Sequence, residues 1–294
     1  MTQPRPGRRA LSAARRAISK VLAGQSGSAG LQELQGQLRR TRSRLRATKD
    51  EVRDLNRELK TTRDSVRDPF PDIVLDPRVE QTIVAVREEK LSYLSRRNLA
   101  ALARVVTEAD LAGRPGLIVE TGTALGGSAI VLGSAKATDR GMKVYDVFGQ
   151  IPPPTRQDGK DVWQRYDRIA SGQSKGLGSE EYYGYRDNLY QQVTDSFARH
   201  GVPVEENSVD LVQGLFEDTI DLDEPVAFAH LDGDWYESTM ACLRRIAPLL
   251  VEGGRLVVDD YYAWSGCQTA VDEYFADRPG FRLELRSRLH VVRV

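Results

Sequence analysis

Cysteine, long apolar runs and net charge are all in short supply in this chain of 294 residues. With only Cys242 and Cys267 no disulfide framework can be drawn, and the pair fits a reducing, cytoplasmic compartment. No apolar run approaches the roughly 18 residues of a membrane span, and no signal-peptide core is evident. The formal charge is zero, but the average hides a division. Residues 1–48 carry eleven basic residues against the single acid Glu33, leaving 31 basic and 41 acidic residues in the rest. Neither interleaved aromatics nor a recognised reading module accompanies the basic stretch Arg39 to Arg46, so no nucleic-acid partner is expected.

What is present is acidic and local. The apolar runs Val226 to Leu231 and Arg255 to Val258 both end abruptly in carboxylates, Asp232-Gly233-Asp234 and Asp259-Asp260. Short apolar runs bounded by turn signals suit buried parallel strands, and Leu243, Ile246, Leu249 and Leu250 between them keep a helical period. In such a strand-helix-strand unit the four aspartates gather at the carboxyl edge of neighbouring strands, where open α/β sheets bind ligands. Four carboxylates together repel one another unless a cation or a proton is shared among them.

The N-terminal third has another character. Leu11, Ala14, Ile18, Val21 and Leu22 share one side of a helical wheel, opposite Arg8, Arg9, Arg15, Arg16 and Lys20. Residues 1–30 therefore read either as an arm lying on the inner membrane surface or as a solvated, partly disordered one, with a superficial likeness to a transit peptide. Gly24 to Gly30 reads as a linker. Over 31–68, Leu31, Leu34, Leu38, Thr41, Leu45, Thr48, Val52, Leu55, Leu59, Thr62 and Val66 alternate spacings of three and four. That heptad seam predicts a coiled coil and a homo-oligomer, although its threonines under-fill it and a single solvated helix is the alternative. Pro69, Pro71 and Pro77 mark the boundary to a main domain over 69–294.

In that domain Gly116 to Ser128 reads as a strand, a glycine-rich turn and a helix from Ala129 to Ala137. The turn is G-x-x-x-G-G, neither the dinucleotide spelling nor a phosphate-binding loop. Its glycines allow close approach of a ligand, and the helix amides favour anionic groups. The next strand, Met142 to Tyr145, ends in Asp146, placed either to accept ribose hydroxyls or to serve as a turn residue. Residues 149–190 lack an apolar period and read as an irregular lid. A helix from Asn188 to His200 leads to a third strand near Val209 to Gln213. Two alternating segments, Phe281 to Leu285 and Leu289 to Val294, close the chain as an antiparallel pair.

These residues carry a resemblance. Glu120-Thr121-Gly122 with Gly126-Gly127, Asp146 with Phe148 and Pro152-Pro153, and Phe216-Glu217-Asp218-Thr219 form its first part. Asp232-Gly233-Asp234-Trp235-Tyr236-Glu237-Ser238-Thr239, Asp259-Asp260-Tyr261, Cys267 and Ala270-Val271 complete it. Together they are similar to the macrocin O-methyltransferase family, which methylates sugar hydroxyls of macrolide and aminocoumarin antibiotics. The resemblance spans about residues 90–294. It implies the class I S-adenosylmethionine-dependent methyltransferase fold, an α/β Rossmann-like sheet of seven strands with helices on both faces. A donor site at Glu120, Thr121, Gly122, Thr123, Gly126, Ser128, Asp146, Phe148, Phe216, Glu217 and Asp232 is implied with it. So are magnesium on Asp232, Asp259 and Asp260, and a proton-abstracting Asp234. Ala124 stands where the family commonly has an aromatic residue, and the lid matches only at its prolines, so the acceptor does not carry over.

The chemistry agrees. A sugar hydroxyl holds its proton well above neutral pH, and a hard cation on carboxylate oxygens lowers that pKa and orients the acceptor. Asp234 then takes the proton, unless it merely forms a capping box with Glu237. His230 reads as a satisfied core histidine, while Tyr236 and Tyr261 either line the acceptor pocket or pack. Two rivals remain: a glycosyltransferase using Asp232-Gly233-Asp234 as a D-x-D motif, and a non-catalytic assembly protein working through its coiled coil.

Overall fold

The structure, a computed structural model, describes residues 28–65 and 68–294; residues 1–27 of the basic arm lie outside them. The chain divides into two units between Arg63 and Asp64. In the first, helix α1 (Ser28–Ser65) runs unbroken for 38 residues, as the heptad period predicts, and stops before Pro69. Leu38, Leu45, Val52 and Leu55 of its seam are all about half exposed.

The second unit begins with α2 (Pro77–Glu88) and α3 (Arg96–Leu111). Asp76 and Ser95 cap them by accepting the amides of Arg78 and Asn98, at 2.8 and 3.2 Å. Then come β1 (Leu117–Thr121), α4 (Gly127–Ala135), β2 (Met142–Asp146), α5 (Lys160–Ala170), α6 (Leu189–Arg199) and β3 (Val209–Gln213). The short α7 (Phe216–Thr219) is followed by β4 (Val226–Leu231), α8 (Tyr236–Ile246), β5 (Leu250–Val258), α9 (Ser265–Phe275), β6 (Phe281–Leu285) and β7 (Leu289–Arg293). Helix α4 starts two residues earlier than its apolar pattern suggests, because Gly126 at φ 85° turns the chain directly into the helix.

The seven strands form one sheet in the order β3-β2-β1-β4-β5-β7-β6, with β7 antiparallel to both of its neighbours. Its central strands β1 and β4 are buried along their whole length because both faces are covered, while the edge strands β3 and β6 carry exposed residues. Ile118, Val144, Phe228 and Val257 join α2, α3, α4 and α6 in one core, while Val119, Tyr145, Leu231 and Val258 join α8 and α9 in the other. The strand order reverses direction at β1 and β4, whose carboxyl ends lie side by side: Thr121 is in register with Leu231. That crevice is where open α/β sheets take ligands. The segment 149–190 is less irregular than its Pro-, Gly- and Tyr-rich sequence suggests, since it contains α5, whose Val162 and Ile169 are buried.

Candidate active site

The crevice is lined from both sides. On the β1–β2 side the chain turns at Gly122, in the left-handed region at φ 81°. A Cβ there would lie 2.0 Å from the Asp232 carbonyl oxygen, so only glycine lets the β1 turn approach the end of β4 this closely. Asp146, at the tip of β2, organises the loop. Its carboxylate accepts the amides of Thr123, Ala124 and Phe148, at 2.8, 2.9 and 2.7 Å. Burial raises its pKa to about 6, against the pull of those three amides. Asp146 thus serves the turn, and it also lines the cavity together with Gly122, Phe216, Glu217 and Asp232.

The other residues expected around the donor stand behind this surface. Glu120 is fully buried and accepts the Thr123 hydroxyl at 2.9 Å. Thr121 ends β1, Gly126 caps α4, and Ser128 is buried in its first turn. Phe148 turns into the core, its ring 5.0 Å from that of Tyr190. The cavity also takes Val147, Leu215, Tyr183 and Ser238, none of which is among the donor residues expected from the sequence.

On the β4–β5 side Asp232, Asp259 and Asp260 come together, each offering an oxygen within 4.8 Å of the others. Asp260 Oδ2 is buried without a hydrogen-bond partner. Burial and the neighbouring aspartates hold the Asp232 and Asp234 carboxyls well above the usual carboxylate range, and raise Asp260 to about 6. Asp259 differs: despite burial, His230 and Arg288 hold its pKa below the ordinary value. Arg288 Nε donates to Asp259 Oδ1 at 2.5 Å. A set of carboxylate oxygens with one buried acceptor unsatisfied fits a hard divalent cation.

Asp234 sits at φ 57°, one residue ahead of Trp235, the N-cap of α8. No side chain of that turn caps the helix, so the capping-box reading with Glu237 finds no bond. Instead Asp234 faces both the cavity lined by Phe216 and Glu217 and an adjoining one walled by Tyr93, Tyr182, Trp235, Trp264, Arg165 and Arg288. Ala124, left-handed at φ 51°, borders this second cavity with only a methyl group. Tyr236 and Tyr261 do not reach it; their hydroxyls donate to Glu273 and Asp272 of α9, at 2.6 and 2.8 Å.

His230 is more than a core histidine. Its Nδ1 is 2.7 Å from Glu120 Oε1 and its Nε2 is 3.6 Å from Asp259 Oδ1, so one ring joins the two sides of the crevice. Burial works against the charged ring, but the two carboxylates outweigh it and raise its pKa to about 9.

Residues 88–280 match the family model of macrocin O-methyltransferase (TylF). Among curated proteins, the 8-demethyl-8-(2,3-dimethoxy-alpha-L-rhamnosyl)-tetracenomycin-C 4'-O-methyltransferase of Streptomyces olivaceus is 33% identical over 205 residues, 67% of this chain and 69% of that protein. The mycinamicin III 3''-O-methyltransferase of Micromonospora griseorubida is 29% identical over 202 residues, 66% of this chain and 73% of its own. Among solved structures, the O-methyltransferase NovP superposes with a TM-score of 0.56 at 23% identity, covering 74% of this chain and 96% of that one, a likeness of fold.

Proposed function

Since the chain belongs to the macrocin O-methyltransferase family and is an S-adenosylmethionine-dependent O-methyltransferase, we propose that it methylates a sugar hydroxyl of a glycosylated small molecule with the help of magnesium. The observation that carries this reading is the gathering of Asp232, Asp259 and Asp260 beside Asp234, where the donor cavity meets the aromatic-walled one. The relatives named above act on sugars of natural products, and an aromatic-walled cavity suits the apolar faces of a sugar ring.

In this reading the turn from Gly122 to Gly126 and the residues Phe216 and Glu217 hold the donor. Asp232, Asp259 and Asp260 would hold the ion, which when bound lowers the pKa of the acceptor hydroxyl and fixes its direction. Asp234 takes the proton as the methyl group is transferred, a role worth about 10² to 10⁴ in rate. Burial and the neighbouring Asp260 raise its pKa, which makes it a stronger base than a free carboxylate. Tyr183, which borders both cavities, excludes water from the junction between them.

Helix α1 pairs with a second copy of itself in this proposal, covering Leu38, Leu45, Val52 and Leu55. No helix among the described residues is long and apolar enough to cross a membrane.

The test is methyl transfer from labelled S-adenosylmethionine to a panel of rhamnosides and other deoxysugar glycosides, with and without chelator. Transfer that stops on chelation and returns with magnesium is expected. Transfer to none of the glycosides, or activity indifferent to chelation, overturns the reading.

A further inference from the structure

The helices that follow the two acidic loops both begin without a cap of their own. Trp235 precedes α8 and Trp264 precedes α9, and an indole has no oxygen to accept the amides exposed at a helix start. Those amides are taken from elsewhere. Tyr236 N donates to Asp158 Oδ1 at 2.9 Å, and Ser265 N donates to Asp161 Oδ2 at 3.0 Å. The Ser265 hydroxyl adds a bond to Asp161 Oδ1 at 2.6 Å, and Trp235 Nε1 donates to the Pro152 carbonyl at 3.0 Å. Pro152, Asp158 and Asp161 all belong to the lid, so one segment grips both acidic loops. Asp158 is itself nearly buried and fixed within the lid by Thr155 N, which donates to its other oxygen at 2.8 Å.

The contact is built for close approach. A Cβ on Gly266 would lie 2.0 Å from Asp158 Oδ1, and one on Gly159 would lie 2.2 Å from Ser265 Oγ. Each tether also adjoins a group of the reaction centre. Asp234 directly precedes Trp235 and holds a left-handed backbone that its surroundings must enforce. Trp264, immediately before Ser265, lines the same cavity as Asp234.

We propose that Asp158 and Asp161 are positioning residues: by capping α8 and α9 from the lid, they hold Asp234 and Trp264 in the arrangement that methyl transfer requires. The proposal rests on Asp234 as the proton acceptor. Misplacement of a reacting group by about 1 Å is enough to lower a rate 10²-fold.

The test uses the full chain, with S-adenosylhomocysteine calorimetry, hydrogen exchange over residues 232–240 and 262–268, and turnover of the best glycoside of the panel. Asp158→Ala is expected to speed exchange at the start of α8 and to lower kcat by roughly 10- to 100-fold, with donor affinity within about twofold of the parent. Asp158→Asn, which keeps an accepting oxygen, restores most of the rate. Gly266→Ala should reproduce the loss by displacing the Asp158 carboxylate, although alanine is the better helix former. It carries the test, together with Asp161→Ala, if Asp158→Ala does not fold.

A kcat for Asp158→Ala within about twofold of the parent, donor affinity that collapses along with the rate, or an Asn variant no better than Ala would overturn the proposal. Hydrogen exchange needs no acceptor, so it reads the tethering even if no glycoside is methylated. Should Asp234→Asn turn over normally while Asp158→Ala does not, the base assignment fails and the tether stands.

Discussion

The two sides of the crevice satisfy their polar groups in opposite ways. On the β1–β2 side the two buried carboxylates have protein partners: Asp146 takes three loop amides, and Glu120 takes the Thr123 hydroxyl and the His230 ring. On the β4–β5 side three carboxylates crowd within 4.8 Å, and one buried oxygen of Asp260 has no hydrogen-bond partner. A self-satisfied surface is shaped before its ligand arrives and binds through its contour and backbone. On the acidic surface Arg288 balances Asp259 alone, and the repulsion between Asp232 and Asp260 is relieved only by a further positive charge or a shared proton. In the proposed function this difference separates holding the donor from activating the acceptor, and the His230 ring stands between the two sides.

Asp234→Asn breaks the comparison most sharply. It removes one charge from the acidic side and nothing from the other, so turnover should fall by about 10² to 10⁴ while S-adenosylhomocysteine still binds in calorimetry with near-parental affinity. If affinity fell with the rate, the two sides would not be separable. Gly122→Ala attacks the other side. Both the left-handed backbone and the 2.0 Å approach to the Asp232 carbonyl are forbidden to it, so a loss of about 1–3 kcal/mol in thermal unfolding is expected, with weaker donor binding. An unchanged donor affinity would show that the turn does not shape the donor surface.

The smallest effect comes from a histidine that belongs to neither side. His290 is level with His230 across Val257 of β5, yet burial and the nearby Arg255 and Arg286 lower its pKa from 6.5 to about 3. The unfolded chain takes up this proton below about pH 6.5 and the folded chain only near pH 3. The neutral ring's contribution is therefore complete above pH 6.5 and is lost progressively as pH falls toward 3. His290→Leu should flatten that part of the melting temperature against pH; an unaltered slope would place the titration elsewhere.

Much of this was legible in the sequence. Two apolar runs ending in aspartates, separated by one helical period, are enough to set Asp232, Asp234, Asp259 and Asp260 on one edge, because parallel strands point the same way. The seam from Leu31 to Val66 likewise announces the long α1. The segment 149–190 was legible as an insertion, but the period of α5 is hidden among prolines, glycines and tyrosines. The partners that complete the site were not legible, since no local pattern couples them. Asp158 reaches an amide 78 residues away, and Arg288 meets Asp259 only because β7 returns antiparallel beside β5. His230 has the sequence signature of any core histidine; only the register of β1 against β4 puts Glu120 next to it.

The central claim is that the acidic side is completed by a divalent cation. Its most direct test is calorimetric titration of magnesium into the full chain saturated with S-adenosylhomocysteine. A single site that disappears in Asp260→Asn is the result expected. No heat beyond dilution, or the same heat with Asp232 and Asp260 both changed to Asn, would contradict it.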